Sequence, residues 1–226
     1  SPGKAGEVAL PDGPAYFTSR GSVMGQVPGE VVAAAFAVFN PEAVVPSVAY
    51  GWTLTDAATI EAARTDGAVA QLRRALGEAP DGVDRAVELL GRAVDAVAGA
   101  VAGRPLFAGM LAQAVPDDPL AAAWRQADRL REYRGDSHTA AWTSAGFDAV
   151  EIGLLTELWW GLRAQSYVRT RAWSKDALDA GTDRLRSRGH LDGDGQLTDA
   201  GRAAREAVEV ATDAQCQPVV DALGDD

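Results

Sequence analysis

Apolar and polar positions alternate along much of the chain with the period of an amphipathic α-helix. In residues 83–102 the apolar side chains recur at the spacing of one helix face. They are Val83, Ala86, Val87, Leu90, Ala93, Val94 and Val97. A second stripe consists of Leu120, Ala123, Trp124, Ala127 and Leu130. Both segments are therefore predicted to be helices that bury one face against the rest of the protein.

Capping residues indicate where helices begin and end. Asp118 followed by Pro119 predicts the start of the helix that carries the second stripe, and Gly135 is expected to end it. Asp136 or Ser137 would then begin a short helix of its own.

Three further helices are predicted from the same signals. Residues 28–39 form an apolar helix that Asn40-Pro41 is expected to break, and a Thr55 or Asp56 cap begins a helix that ends at Gly77. Asp148 and the glutamate three residues later resemble a capping box before a strongly apolar helix.

Residues 173–213 have a different pattern. Ser174 predicts the start of a helix, Gly189 its end, and Thr198 the start of a last long helix. Between them, two three-residue extended pieces flank the turn Gly193-Asp194-Gly195. A helix, a tight hairpin and a second helix in this order are typical of a winged helix-turn-helix with a small β wing.

This segment resembles the MarR-type regulators, in which LDGDGQLTDAGR (191–202) would be the wing and the start of the dimerisation helix. The chain as a whole is similar to an actinobacterial family of MarR-like helix-turn-helix proteins without a well-assigned activity. The matching pieces are YFTSRGSVMG (16–25), GRPLFAG (103–109), LREYRGDSH (130–138) and the wing segment. The resemblance implies an all-α, MarR-like winged-helix fold, and it implies little about a ligand or a reaction.

Net charge argues against the usual partner of this fold. The chain carries 32 acidic and 21 basic residues, a net charge of −11, whereas non-specific DNA affinity comes mainly from Lys and Arg on phosphates. The predicted recognition helix, residues 174–188, sets three aspartates against four basic residues, and Asp176 and Asp179 lie in its N-terminal half, which reads base edges in this motif. We therefore expect DNA binding to be weakened or lost.

The chain divides into a predicted arm at 1–14 and two predicted halves, 15–113 and 118–226, on either side of the linker Pro116-Asp117-Asp118-Pro119. The order of motifs in the two halves is similar, which suggests a tandem pseudo-dimer in one chain; two unrelated helical segments of similar composition are the alternative. A monomer and a homodimer both remain open.

Candidate chemistry is concentrated at residues 131–138, where guanidinium groups, carboxylates, a phenol, a hydroxyl and an imidazole follow one another. His138 titrates near neutral pH and is the candidate acid or base, Asp136 its orienting partner or a helix cap, and Arg134 a stabilising charge. Arg131 and the glutamate after it are interpreted as a solvated face.

Other residues are candidates for ligand binding. If the two halves are repeats, Arg20 and Arg134 face each other across one cleft, and two convergent arginines would suit an anionic or carbonyl-bearing small molecule. Arg20, Arg134 and His138 would then contact the polar end of the ligand, and Arg104 is a third candidate arginine. The remaining candidates are Tyr16, Met24, Tyr133, Trp142, Phe147 and Trp159, which supply phenol, thioether and aromatic surface.

Three functions stay open from the sequence. The first is a small-molecule-binding protein with its ligand between the two halves, the second an enzyme of small-molecule, natural-product metabolism in the same cleft, and the third a ligand-responsive transcriptional regulator. Two histidines and one cysteine do not suggest a metal site, and no cofactor motif is present. Because no apolar run is long enough to span a membrane and no leader pattern is visible, a cytoplasmic protein without a membrane partner is expected.

Overall fold

The computed structural model describes residues 13–224, which form ten α-helices and two 3₁₀ turns. The helices are α1 (Gly13–Gly21), α2 (Gly29–Phe36), α3 (Pro41–Leu54), α4 (Ala57–Leu76), α5 (Val83–Val97), α6 (Pro105–Ala112), α7 (Pro119–Ser144), α8 (Ala149–Trp159), α9 (Lys175–Ser187) and α10 (Asp199–Leu223). The 3₁₀ turns are Ser22–Met24 and Val168–Arg171.

Most helix starts lie where the capping residues predict them. The side chains of Asp56, Asp118, Ser174 and Thr198 each accept a hydrogen bond from a backbone N–H in the first turn of the following helix. Asp148 forms a complete capping box at the start of α8. These local signals are confirmed because a cap needs nothing beyond its own few residues.

The predicted β wing is wrong. Within residues 13–224 there is no strand, and the turn between α9 and α10 is held by one isolated bridge between Leu191 and Leu197. The Asp192 carboxylate accepts the N–H groups of Asp194 and Gln196 and so closes the turn from the side. Three residues on each side of the turn are too few to extend that bridge into a β-ladder. The all-α part of the predicted fold agrees with the structure.

The predicted end of a helix at Gly135 is also wrong. Helix α7 is 26 residues long and continues through Gly135. Asp136 and Ser137 therefore lie inside the helix and do not cap it. A glycine inside a helix costs about 1 kcal/mol relative to alanine, and α7 offsets this by packing against α4, α5, α6 and α10.

Helix α2, predicted to run to residue 39, ends at Phe36, and Asn40 and Pro41, expected to break a helix, begin the next one. The Asn40 side chain accepts the N–H of Glu42, and Pro41 occupies the first turn of α3. Helix α3 itself was not predicted, because Pro46 and Gly51 inside it are residues that usually interrupt a helix.

Three packed groups of helices form the core. Helices α1, α2 and α3 enclose the edge-to-face rings of Phe17, Phe36 and Phe39. Helices α5, α7 and α10 pack against one another, and α8 packs against α9 and α10. Gly13 and Pro14 of the predicted arm belong to α1, residues 1–12 lie outside the described part, and the division into two repeated halves stays a prediction.

Buried charges join the N-terminal helices to α7. Glu61 on α4 pairs with Arg125 on α7 at 2.7 Å, and Arg64 on α4 pairs with Asp128 on α7 at 2.5 Å. Glu132, expected on a solvated face, is 3% exposed and binds Arg20 of α1. Because an unpaired buried charge is strongly destabilising, these pairs fix how α1 and α4 lie on α7.

Two glycines provide a matched test of the helix packing. A Cβ on Gly29 would lie 2.7 Å from the backbone of Val45, whereas one on the exposed helical Gly67 would meet no atom within 4 Å. Gly29→Ala is expected to lower the free energy of unfolding by about 1–3 kcal/mol through overpacking. Gly67→Ala is expected to raise it by about 0.5–1 kcal/mol. Urea titration of both variants measures the free energy of unfolding. Equal changes in that free energy for the two variants would contradict the close contact between α2 and α3.

Candidate functional site

A cleft of about 440 Å³ opens at the centre of the molecule. Its walls come from α1 and α2 on one side, from α7, α8 and α10 on the other, and from the segment after α8. The cleft therefore lies between elements from both ends of the sequence. This volume is within the range of sites for drug-sized molecules.

Seven of the eleven predicted site residues line this cleft. They are Tyr16, Arg20, Arg134, Asp136, His138, Trp142 and Trp159. The other four do not: Met24 packs beside the N-terminal aromatic core, Arg104 donates to Ser137 and Gln215, Tyr133 donates to the carbonyl of Gln215, and Phe147 belongs to the core around α8.

Arg20 and Glu132 form one end of the cleft. Arg20 Nη2 donates to both carboxylate oxygens of Glu132 at 2.8 and 3.0 Å, and its Nη1 donates to the Tyr16 hydroxyl at 2.7 Å. Its guanidinium also lies 4.7 Å from the centre of the Phe36 ring. Burial by itself lowers the pKa of Arg20, but the charge and hydrogen bonds of Glu132 and then Tyr16 raise it above the ordinary value.

The opposite end contains Arg205, which the sequence analysis missed. Arg205 is 2% exposed, its Nε donates to the hydroxyl of Thr156 at 3.0 Å, and its Nη2 pairs with Glu209 at 2.6 Å. Trp159 lies under its guanidinium at 5.0 Å. The sequence pattern that could have indicated its burial is its helical spacing from Gly201, Val208 and Thr212, the other buried residues of α10.

Glu209 connects the charges at this end. Its Oε2 accepts from Arg134 at 2.9 Å, and its Oε1 accepts from Arg205 and lies 3.9 Å from His138 Nδ1. Burial alone would raise the pKa of Glu209, but the hydrogen bond and charge of Arg205 bring it below the ordinary value. Glu209 therefore stays ionised and balances the arginines.

His138 is held in one tautomer. Thr212 donates its hydroxyl hydrogen to the carbonyl of Val208 at 2.7 Å, so that hydroxyl can only accept from His138 Nδ1 at 3.1 Å. Burial, opposed by Glu209 and assisted by Arg205, lowers the pKa of His138 below its ordinary value. A neutral His138 with Nδ1 protonated carries its free lone pair on Nε2.

Asp136 does not orient His138, because side chains two positions apart on a helix face different directions. Its Oδ2 accepts the backbone N–H of Phe107 at 2.9 Å, so Asp136 caps α6 from a different helix. Burial raises the pKa of Asp136 to about 6, against the hydrogen bond from Phe107 and with the charge of Glu132.

Aromatic rings and one more arginine line the mouth of the cleft. The guanidinium of Arg171 lies 4.7 Å from the Phe39 ring and 4.6 Å from the Tyr167 ring. Trp160 packs edge-on against Tyr167 at 5.5 Å and remains 53% exposed. The segment is tied to the turn after α2, since the Asn40 N–H donates to the Arg171 carbonyl at 2.9 Å.

The basic side chains on and just after α9 are all paired with carboxylates. Lys175 pairs with Asp179 and Arg186 with Asp183, while Arg184 reaches both Asp148 and Glu151. Arg188 also pairs with Glu151, at 3.0 Å. The predicted recognition helix thus presents neutralised arginines and unpaired acidic charge.

Residues 13–224 contain neither a cluster of metal ligands nor a membrane-spanning helix. In residues 13–224 no three His, Cys, Asp or Glu side chains converge as ligands for a metal ion. Over the same residues, no helix combines the length and apolar character needed to cross a membrane.

The raised pKa of Asp136 predicts a pH dependence of stability. The folded pKa is about 6 and the ordinary value is 3.8, so the folded protein binds the proton more tightly than the unfolded chain. This contribution is fully present below about pH 4 and is lost as the pH rises through about 6. Asp136→Asn keeps an acceptor for Phe107 without the charge, and it should gain on the order of 1–2 kcal/mol over wild type between pH 4 and 7.5.

Urea unfolding across this pH range measures the difference between the two proteins. Asp56→Asn is the matched control, since the hydrogen bonds from Thr59 lower the pKa of Asp56 below its ordinary value of 3.8, and its contribution to stability is lost only as the pH falls below about 4. Above about pH 5 the stability of Asp56→Asn relative to wild type should therefore stay nearly constant, while that of Asp136→Asn should rise with pH. A pH-independent difference for Asp136→Asn would contradict a raised pKa.

No curated protein and no solved structure gave a match. A family model described as a helix-turn-helix family matches residues 3–226. Because the match covers almost the whole chain, the protein belongs to this helix-turn-helix family.

Proposed function

We propose that this helix-turn-helix protein binds a small organic molecule in the cleft between α1 and α2 on one side and α7, α8 and α10 on the other, and that its DNA binding is weakened or lost. The observation that carries the proposal is the cleft itself, about 440 Å³ of space lined by several aromatic rings and four guanidinium groups. A concave space with aromatic walls and a few placed polar groups is typical of a small-molecule site.

The charges of the cleft support an anionic or carbonyl-bearing ligand. Arg20, Arg134, Arg171 and Arg205 line it together with three carboxylates, Glu132, Asp136 and Glu209. Asp136 has a pKa of about 6, so it contributes little negative charge in mildly acidic solution. The surplus of guanidinium groups favours a ligand with acceptor oxygens.

The surface of α9 supports weakened DNA binding. Phosphate affinity depends on Lys and Arg that are free to release counterions, and the basic side chains of residues 175–188 are already paired with carboxylates. A ligand-responsive regulator is the second candidate, because the chain belongs to a helix-turn-helix family.

A catalytic use of the same cleft is the third candidate. It is favoured by His138, whose fixed tautomer and lowered pKa leave Nε2 as a base near neutral pH. Thr212 is its orienting partner, in the place that the sequence assigned to Asp136.

Native mass spectrometry of freshly purified protein tests ligand binding. Wild type is expected to carry a bound small molecule, or to acquire one from a metabolite extract. Thr139→Trp, which places an indole at the wall of the cleft, should abolish the adduct. The control is Thr143→Trp, one turn along α7 at an exposed position, which should keep it.

Each result of this experiment decides between the candidates. An adduct that persists in Thr139→Trp would place the ligand elsewhere and contradict the proposal. A bound molecule that changes mass on incubation with wild type, but not with His138→Asn, would replace simple binding with catalysis.

DNA binding is tested by fluorescence anisotropy with a labelled random duplex. Wild type is expected to bind more weakly than about 10 μM even at about 50 mM salt. The double variant Asp176→Lys/Asp183→Lys adds positive charge to α9 and releases Arg186, so it should gain affinity that falls steeply with salt. Tight, salt-dependent binding by wild type would favour the regulator instead.

A further inference from the structure

We infer that the ligand of the cleft is a hydroxylated organic acid, whose anionic group binds Arg171 and whose O–H group donates a hydrogen bond to Nε2 of His138. The inference rests on the proposed function and specifies the ligand class. It depends on two residues that line the cleft and whose unused hydrogen-bonding atoms are open to solvent.

Arg171 carries a positive charge that no carboxylate of the cleft balances. The other three arginines of the cleft pair with Glu132 or with Glu209. Within residues 13–224 no carboxylate forms an ion pair with Arg171, and its one side-chain hydrogen bond runs from Nη2 to the uncharged hydroxyl of Tyr167. Because a guanidinium group stays protonated at every pH at which the protein is folded, an anion of the ligand is the partner that this charge lacks.

The position of Arg171 is fixed while part of its guanidinium group stays accessible. The guanidinium carbon lies 4.7 Å from the centre of the Phe39 ring and 4.6 Å from that of the Tyr167 ring. The Asn40 N–H holds the backbone carbonyl of Arg171 at 2.9 Å. Its Nε and Nη1 make no hydrogen bond among the described residues, and neither atom is enclosed by protein. These two donors can therefore reach the oxygens of a bound carboxylate.

Nε2 of His138 offers the opposite kind of partner, a hydrogen-bond acceptor. The hydroxyl of Thr212 gives its hydrogen to the carbonyl of Val208 and so accepts the Nδ1 hydrogen of His138 at 3.1 Å. In the neutral ring Nε2 then has a lone pair and no hydrogen. Nε2 makes no hydrogen bond among the described residues and is not enclosed, since the His138 side chain is 23% exposed. An O–H group of the ligand would satisfy this lone pair.

Together the two residues select one arrangement of ligand groups. A diacid would place its second carboxylate against the lone pair of His138, and a neutral alcohol would leave the charge of Arg171 unpaired. A site discriminates strongly against a molecule that leaves its polar groups without partners. Arg171 lies in the 3₁₀ turn after α8 and His138 on α7, so the acid and hydroxyl groups contact different walls and belong to separate parts of the ligand.

Matched pairs of ω-hydroxy and ω-methoxy alkanoates test this inference by isothermal titration calorimetry. Chains of about six to twelve carbons suit a cleft of about 440 Å³. The two members of a pair share the carboxylate, the chain and the terminal oxygen, and they differ in the O–H group. At about pH 8 His138 is neutral, because burial lowers its pKa below the ordinary value of 6.5. At the best-fitting length the hydroxy acid is expected to bind wild type about 10-fold more tightly than its methyl ether.

Two variants separate the two contacts. His138→Phe removes the acceptor and should reduce the ratio of affinities to less than about 3-fold, with the affinity for the methyl ether unchanged. Arg171→Met should weaken both members of the pair by about 10-fold or more and keep their ratio, and Arg171→Lys should restore part of that loss. The matched control is Arg169→Met, because Arg169 is an exposed arginine on the same 3₁₀ turn that does not line the cleft. This control should bind both probes as wild type does.

Three results would overturn the inference. The first is equal binding of the hydroxy acid and its ether by wild type at every chain length, or a ratio that persists in His138→Phe. The second is an equal loss of affinity in Arg171→Met and Arg169→Met, which would assign the effect to net charge and not to contact with Arg171. The third is failure of every pair to bind wild type, in which case the native mass spectrometry experiment would still decide the proposed function.

Discussion

The uninterrupted course of α7 through the centre of the molecule is the constraint on which the other contacts depend. One face of this helix carries Asp128 and Glu132 to the arginines of α4 and α1. The same face carries Asp136, one turn beyond Glu132, to the start of α6, and a second face carries His138 and Trp142 to the cleft. A break at Gly135 would separate these groups, so the continuity of the helix sets the position of the N-terminal helices, of α6 and of the cleft wall together.

Charge pairing between α1 and α7 and within α10 also explains why the cleft is polar near Arg20 and near Arg205. Glu132 fixes Arg20 at one end and Glu209 fixes Arg205 at the other. Each carboxylate offsets most of the cost of burying its arginine, because a buried charge needs a close partner. Each of these guanidinium groups also lies against an aromatic ring, Arg20 over Phe36 and Arg205 over Trp159.

Local signals in the sequence predicted what depends on a few neighbouring residues. The caps at Asp118, Asp148, Ser174 and Thr198 are examples. Predictions that needed tertiary contacts were wrong, including the helix end at Gly135 and the β wing beside Asp192. From the sequence alone a glycine is interpreted as a helix end, because the packing that lets the helix continue through it is not visible. A turn that is closed by a side chain is likewise interpreted as a turn between two strands.

The candidate site was predictable in part for the same reason. Arg20, Arg134 and His138 were recognised because polar residues crowd together in the sequence around them, and the fold brings them to one cleft. Arg205 was missed because it lies four residues before Glu209, a spacing that usually indicates an exposed pair on a helix. Its burial follows only from the packing of α10 against α7 and α8.

The hydrogen bonds between residues 38–40 and 171–173 have a consequence for any attempt to divide this protein. The indole of Trp173 donates to the carbonyl of Val38, and the Asn40 amide donates to the carbonyl of Ala172. The backbone that leads into α9 is thus anchored by a turn more than a hundred positions earlier in the chain. A fragment cut at the 116–119 linker would lose these anchors and one wall of the cleft at once, so excision would remove the support of α9 and leave the cleft open along that side.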